Sequence, residues 1–171
     1  TLAGLKTGSL FSCPYSSQKM IIKEIREFNQ KLTQKGIRII PVRISDKRML
    51  VYVYRPEKLK EDFSDEKTQI ILKCKGYDCT NLSQCICRLI QKLQSDPDFP
   101  HEIGLFLGYP AEDVKGFIEN KAACSKCSGC WKVYGDEQAA RILFKKYKKC
   151  TEIYCRRWKS GVAVEQLTIT I

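Results

Sequence analysis

The chain has 171 residues, 43% hydrophobic and 29% charged, ordinary proportions for a folded domain that exclude a disordered chain. No apolar run approaches the roughly 20 residues that a helix needs to cross a bilayer, and no basic start followed by a hydrophobic stretch marks a secretory leader. Lysine and arginine outnumber acidic residues 30 to 19, for a net charge of +11, which raises the odds of nucleic acid, a phosphate ligand or an acidic protein as partner, although the excess is spread along the chain and a solvated, lysine-rich surface is the simpler reading.

The first element expected is a short strand over Ser9–Cys13. Ile21, Ile25, Phe28 and Leu32 are then spaced for one face of a helix that stops at Lys35-Gly36. Two β-rich runs, Ile37–Ile44 and Met49–Tyr54, flank Ser45-Asp46-Lys47-Arg48 and predict a hairpin, with Pro41 marking a bulge or a sheet edge. Pro56 opens a short helix carrying Leu59 and Phe63. Ser64-Asp65 caps another, through Ile70, Ile71 and Cys74, that ends at Gly76. Leu82, Ile86, Leu89, Ile90 and Leu93 form an amphipathic helix closed by Asp96-Pro97.

Phe99 to Pro110 reads as a short helix with Pro100 at its start and Gly108 as a left-handed stop; a strand over Ile103–Leu107 is the competing reading. Pro110 opens a further helix to Asn120, with Glu112 and Asp113 at its positive end. A cysteine-rich loop leads to an alternating strand, Trp131-Lys132-Val133-Tyr134. Gly135-Asp136 then caps a long helix whose buried stripe is Ala140, Leu143, Phe144, Tyr147, Tyr154 and Trp158. Gly161 ends it, and Val162–Ile171 is a β-rich tail. The fold class expected is α+β with an α/β-like start: one domain over 1–171, with a small mixed sheet of four to five strands packed by several helices.

His101 is the only histidine and abuts Glu102. The pair suits acid–base chemistry, but neighbours on a helix point about 100° apart, so both must reach one cleft from different directions. The bland alternative is that they cap a buried helix start. Gly108-Tyr109-Pro110 makes a sharp corner whose free N–H groups at the second helix could receive an anion; the acidic pair Glu112-Asp113 argues against one, and corner geometry alone is a sufficient explanation. Cys124, Cys127 and Cys130 form a C-x-x-C-x-x-C loop whose spacing fits zinc or part of an iron–sulfur cluster. Three thiolates leave such a site one ligand short, and incidental free thiols with no cofactor are the competing reading.

Several of the ten cysteines lie in apolar helical patterns, which favours a reducing, cytoplasmic setting over disulfides. Cys13-Pro14-Tyr15-Ser16, between strand and helix, looks like a single-thiol glutaredoxin site, but the following elements do not continue that fold. Arg141, Lys145, Lys148, Lys149, Arg156 and Lys159 lie opposite the apolar stripe of the long helix, where nucleic acid could follow them. No nucleic-acid-binding motif supports that reading, and a solvated face is the simpler one.

The run Phe99-Pro100-His101-Glu102-Ile103-Gly104-Leu105-Phe106-Leu107-Gly108-Tyr109-Pro110 continues through Glu112-Asp113-Val114 and Gly116-Phe117-Ile118. Together with Thr1–Lys6, Val51–Pro56 and Trp131–Asp136, it resembles the bacterial family known as domain of unknown function 3793, found commonly in anaerobes. The resemblance spans essentially the whole chain. Its members begin slightly upstream of Thr1, which implies a short preceding segment. It also implies a small intracellular protein, supplies no activity, and directs interest to His101, Glu102, Gly108, Tyr109 and Pro110; the cysteine triplet stands outside its pattern.

The expectation carried forward is a small-ligand-binding or accessory domain with a pocket near His101, Glu102, Tyr109, Trp131 and Tyr134. The rivals are an enzyme using His101 and Glu102, a redox or metal protein using the cysteine loop, and nucleic-acid binding along the last long helix. A membrane partner is not expected.

Overall fold

The computed structural model describes residues 1–95 and 99–170 of the chain. It begins with β1 (Gly8–Pro14), α1 (Gln18–Leu32) and a 3-10 turn at Thr33–Lys35, followed by the hairpin strands β2 (Arg38–Ile44) and β3 (Arg48–Tyr54). Four helices come next: α2 (Pro56–Asp62), α3 (Glu66–Cys74), α4 (Leu82–Ser95) and the single-turn α5 (Ile103–Phe106). Then follow α6 (Ala111–Glu119), the two-residue strands β4 (Cys127–Ser128) and β5 (Lys132–Val133), α7 (Glu137–Lys159) and α8 (Val164–Leu167).

The α+β class holds. Among the described residues, five strands divide into a three-stranded sheet of order β1-β3-β2 and a β4-β5 ribbon, and every pairing is antiparallel. β3 is central, and its sequence shows why it can be: both of its faces are apolar. Met49, Val51 and Val53 pack with Ile25, Leu32 and Ile37 on the α1 side. Tyr52 and Tyr54, on the other side, join Leu59, Phe63, Leu72, Leu89 and Phe106 in the principal core. A strand buried on both sides reads as a continuous apolar run rather than an alternation. β2 is an edge strand, and its register slips between Pro41 and Arg43, the bulge that a proline at an edge accommodates.

Local signals set the helix ends. The side chains of Ser17, Asp65 and Asp136 accept the N–H groups of Met20, Thr68 and Ala139 at the starts of α1, α3 and α7. The closure of α4 by Asp96-Pro97 lies outside the described residues.

Two expectations are corrected. The tail is not β-rich: it forms α8, and beyond that helix the Ile169 N–H donates to the Leu2 carbonyl. Its β-branched residues dock singly, Val164 against the α1 cluster, and β-propensity yields to such packing. The apolar stripe of α7 is not buried along its length either. Ala140 is buried, Leu143, Phe144 and Tyr147 are half-buried against the ribbon, and Trp158 is 61% exposed. A helix of 23 residues runs about 35 Å, far beyond what two-residue strands can cover. Among the described residues no helix is long and apolar enough to cross a membrane.

Candidate functional site

Three successive bonds lead into α5, with the Ile103, Gly104 and Leu105 N–H groups donating to the carbonyls of Pro100, His101 and Glu102. The helix then stops after one turn. Gly108 has φ 76°, and its N–H and that of Tyr109 donate to the carbonyls of Leu105 and Gly104, the paired bonds of a left-handed helix stop. Pro110 restarts the chain as α6. This corner turns Tyr109 back against the β4-β5 ribbon, where its ring stacks on Trp131 at 4.8 Å between centroids; Trp131 in turn meets Phe144 edge-on at 4.6 Å.

Asp113 holds the ribbon there. It is 3% exposed, and its carboxylate accepts Trp131 Nε1–H at 2.6 Å and the backbone N–H groups of Tyr134 and Gly135 at 2.7 Å each. Three charge-assisted hydrogen bonds converge on one buried side chain, the arrangement that buried charge requires. Gly116, one turn further along α6, permits the approach: a Cβ there would lie 2.4 Å from Tyr134 Cγ.

Between α5, α6 and the ribbon lies a cleft of about 320 Å³. Its walls are chiefly Tyr109, Trp131, Phe117, Ile103 and Val114, with Phe99, His101, Cys130 and Lys132 also lining it. His101 is exposed, its ring edge-to-face with Phe117 at 5.0 Å. A second recess, of about 530 Å³, adjoins the first across shared walls of Phe99, His101 and Phe117, and is lined by Lys75, Lys92, Lys121 and Glu102.

His101 and Glu102 are treated differently by the fold. Glu102 is 3% exposed, and its Oε1 accepts Lys92 Nζ at 2.7 Å and the Tyr77 hydroxyl at 3.1 Å. Burial pushes this carboxyl up, but the hydrogen bonds and charge of Lys92, with the Tyr77 hydroxyl, outweigh it and hold the group below its ordinary value. The carboxylate is thus engaged in a buried ion pair, while the imidazole faces the cleft.

Of the other sequence candidates, Tyr109 and Trp131 line the cleft. Tyr134 stands behind it, its hydroxyl donating to the Ala123 carbonyl at 2.9 Å. Gly108 and Pro110 turn towards a separate recess shared with Asp62, Asp65 and Thr68. The three cysteines of the triplet have different surroundings. Cys124 sits in the α6–β4 loop, Cys127 packs under α7, and Cys130 lines the cleft. Among the described residues no group of three or more His, Cys, Asp or Glu side chains is placed to hold a metal ion.

The glutaredoxin-like Cys13 donates to the Met49 carbonyl at 3.6 Å from an antiparallel strand. Sequence reading missed the structural role of Asp113 and the wall formed by Phe117. Their spacing offered a signal, because Asp113, Gly116 and Phe117 share one helical face at i, i+3 and i+4.

A family model described as "Protein of unknown function (DUF3793)" matches residues 1–168. No curated protein and no solved structure matches the chain.

Proposed function

We propose that this chain, which belongs to the DUF3793 family of proteins of unknown function, binds a small ligand by seating a planar aromatic ring in the cleft between α5, α6 and the β4-β5 ribbon. The observation that carries this reading is the aromatic wall of Tyr109, Trp131 and Phe117 with the sole histidine facing into it. A cleft of about 320 Å³ is at the small end of small-molecule sites, which pair apolar walls with few polar groups. Flat rings stack on such walls at little conformational cost. The polar side chains on its walls include Asp113, which is committed to the ribbon, and His101, Ser128 and Lys132, which would orient the ligand.

The engagement of Glu102 with Lys92 and Tyr77 counts against an acid–base pair with His101. Binding is therefore the preferred reading over catalysis by that pair.

The chain has two tryptophans, Trp131 in the cleft and the exposed Trp158, so indole N–H NMR signals separate the site from the surface. Titration with adenine, benzimidazole and nicotinamide is expected to shift the Trp131 signal saturably and leave Trp158 in place. Phe117→Ala and His101→Ala are each expected to weaken the shift about tenfold, the scale of one lost aromatic or polar contact. Absence of a Trp131 shift with all three rings, or affinities unchanged in both variants, refutes the reading.

A second reading rests on a separate observation. α7 carries eight lysines and arginines against Glu137 and Glu152, and its basic side chains and Trp158 are exposed. That surface fits a polyanion such as single-stranded nucleic acid, with Trp158 available for stacking. Binding to a fluorescent oligonucleotide that weakens steeply with salt, and is lost in Lys145→Glu/Lys149→Glu, is the expected result. Salt-independent or absent binding removes this reading.

A further inference from the structure

The aromatic cleft does not stand alone. Phe99, His101 and Phe117 separate it from the recess of about 530 Å³ whose other lining side chains include Lys75, Lys92 and Lys121. Lys92 is neutralised by Glu102. Lys75 and Lys121 are in no ion pair among the described residues. Among the described residues, two unpaired ammonium groups and an imidazole therefore line a recess in which the Glu102 carboxylate is already engaged by the third, Lys92.

The loop that carries Lys121 is held in place. Lys121, Ala122 and Cys124 have φ of 47°, 66° and 57°, a left-handed backbone that side chains disfavour unless their surroundings impose it. Here Lys132 Nζ donates to the Ala122 carbonyl and the Tyr134 hydroxyl to that of Ala123. Lys132 lies in β5 of the ribbon that walls the aromatic cleft, and Tyr134 directly follows that strand. One set of contacts thus fixes the stacking surface and the cationic loop relative to each other.

We propose that the ligand of this site is a planar aromatic ring system bearing a phosphate monoester, in chemical class a nucleoside monophosphate, with its ring in the aromatic cleft and its phosphate between Lys75 and Lys121. This rests on the cleft being a ligand site. A phosphate monoester is favoured over a carboxylate because it presents up to two negative charges and three acceptor oxygens, matching a recess with two separated lysines. Lysine serves such groups as a mobile point charge. Phe99, His101 and Phe117 line both chambers, so a ligand lying over these side chains would touch both.

The test compares the adenine, guanine, cytosine and uracil nucleosides with their 5′-monophosphates, read on the Trp131 indole signal of the full chain. At least one monophosphate is expected to bind about tenfold or more tightly than its nucleoside, the scale of one charge-assisted contact. Lys75→Gln and Lys121→Gln are each expected to reduce that advantage, and the double variant to abolish it, with nucleoside affinity and the free Trp131 signal unchanged. Equal affinity for nucleoside and monophosphate overturns the proposal while leaving the aromatic cleft as a ligand site. So does an advantage that survives the double variant, which would place the phosphate elsewhere. If neither nucleosides nor monophosphates shift Trp131 but benzimidazole does, this ligand class is wrong and the cleft reading stands. If no ring compound shifts it, both fall.

Discussion

Asp113 and Glu102 are both buried carboxylates near the cleft, and they do different work. Asp113 joins two elements distant in sequence, so its loss frees the ribbon rather than one bond. Asp113→Ala is expected to destabilise the chain by about 3 kcal/mol, since hydrogen bonds to charged groups contribute roughly 1.5–3 kcal/mol each and relaxation recovers part of the total. In the same variant the Trp131 indole signal should move towards its solvent-exposed position; denaturant unfolding and NMR together check this. Glu102 instead compensates Lys92. Glu102→Gln leaves an ammonium without its buried counter-ion and should cost about 3 kcal/mol at pH 7.

The pH dependence of that effect has a definite sign. Because the folded Glu102 carboxyl is held below its ordinary value, its contribution is in place at neutral pH. It is lost as pH falls below the ordinary carboxylate range and through the folded value. The gap between wild type and Glu102→Gln in urea unfolding should therefore narrow from pH 7 towards pH 3. A gap that stays constant would show that Glu102 titrates alike in the folded and unfolded chains.

Among the elements, α5, α6 and the ribbon depend on close backbone approach. Gly116 is where α6 meets Tyr134, and any side chain there must displace the ring. Gly116→Val is expected to cost about 2 kcal/mol through overpacking, and to lower Tm by about 5 °C for a chain of this size. Its effect should reach the cleft, weakening ring binding, because Tyr134 and Trp131 flank the same short strand. Thermal unfolding and the Trp131 titration check the two consequences separately.

α7 shows how an element can be legible in sequence and still mislead. Its cap, its period and its Gly161 stop were all readable, and the stripe from Ala140 to Trp158 does lie along one face. What the period could not say is how far the partner extends. The ribbon ends within the first turns, so Tyr154 is only half-buried and Trp158 is exposed.

For the whole molecule, Arg55 gathers distant parts of the chain. Its guanidinium donates to the carbonyls of Thr1, Lys35, Leu2 and Ile169 at 2.8–2.9 Å. Four acceptors from three separate regions explain why a buried arginine is tolerated at the end of β3. Arg55→Met should destabilise the chain by about 3 kcal/mol and speed amide hydrogen exchange at residues 2–4 and 167–169. Arg55→Lys, whose single ammonium cannot serve all four carbonyls, should fall between. Unchanged exchange at both segments in Arg55→Met would contradict the clasp.

The sequence by itself determined the elements of this protein, because their signals are local. Apolar periods, caps at Ser17, Asp65 and Asp136, the Pro41 bulge and the Gly108 stop each act within a few residues of where they are read. It also placed interest on His101, Tyr109 and Trp131, which do share the cleft. Tertiary structure alone decided the rest. Asp113 meets Trp131, Tyr134 and Gly135 across 18 to 22 residues, and Arg55 meets Ile169 across 114. No local pattern encodes such partners. For the same reason Glu102 turned from His101 to Lys92, the cysteines of one spaced motif went to three surroundings, and a β-branched tail became a docked helical turn. In each case the competing contacts came from elsewhere in the chain, and burial energy exceeded local preference.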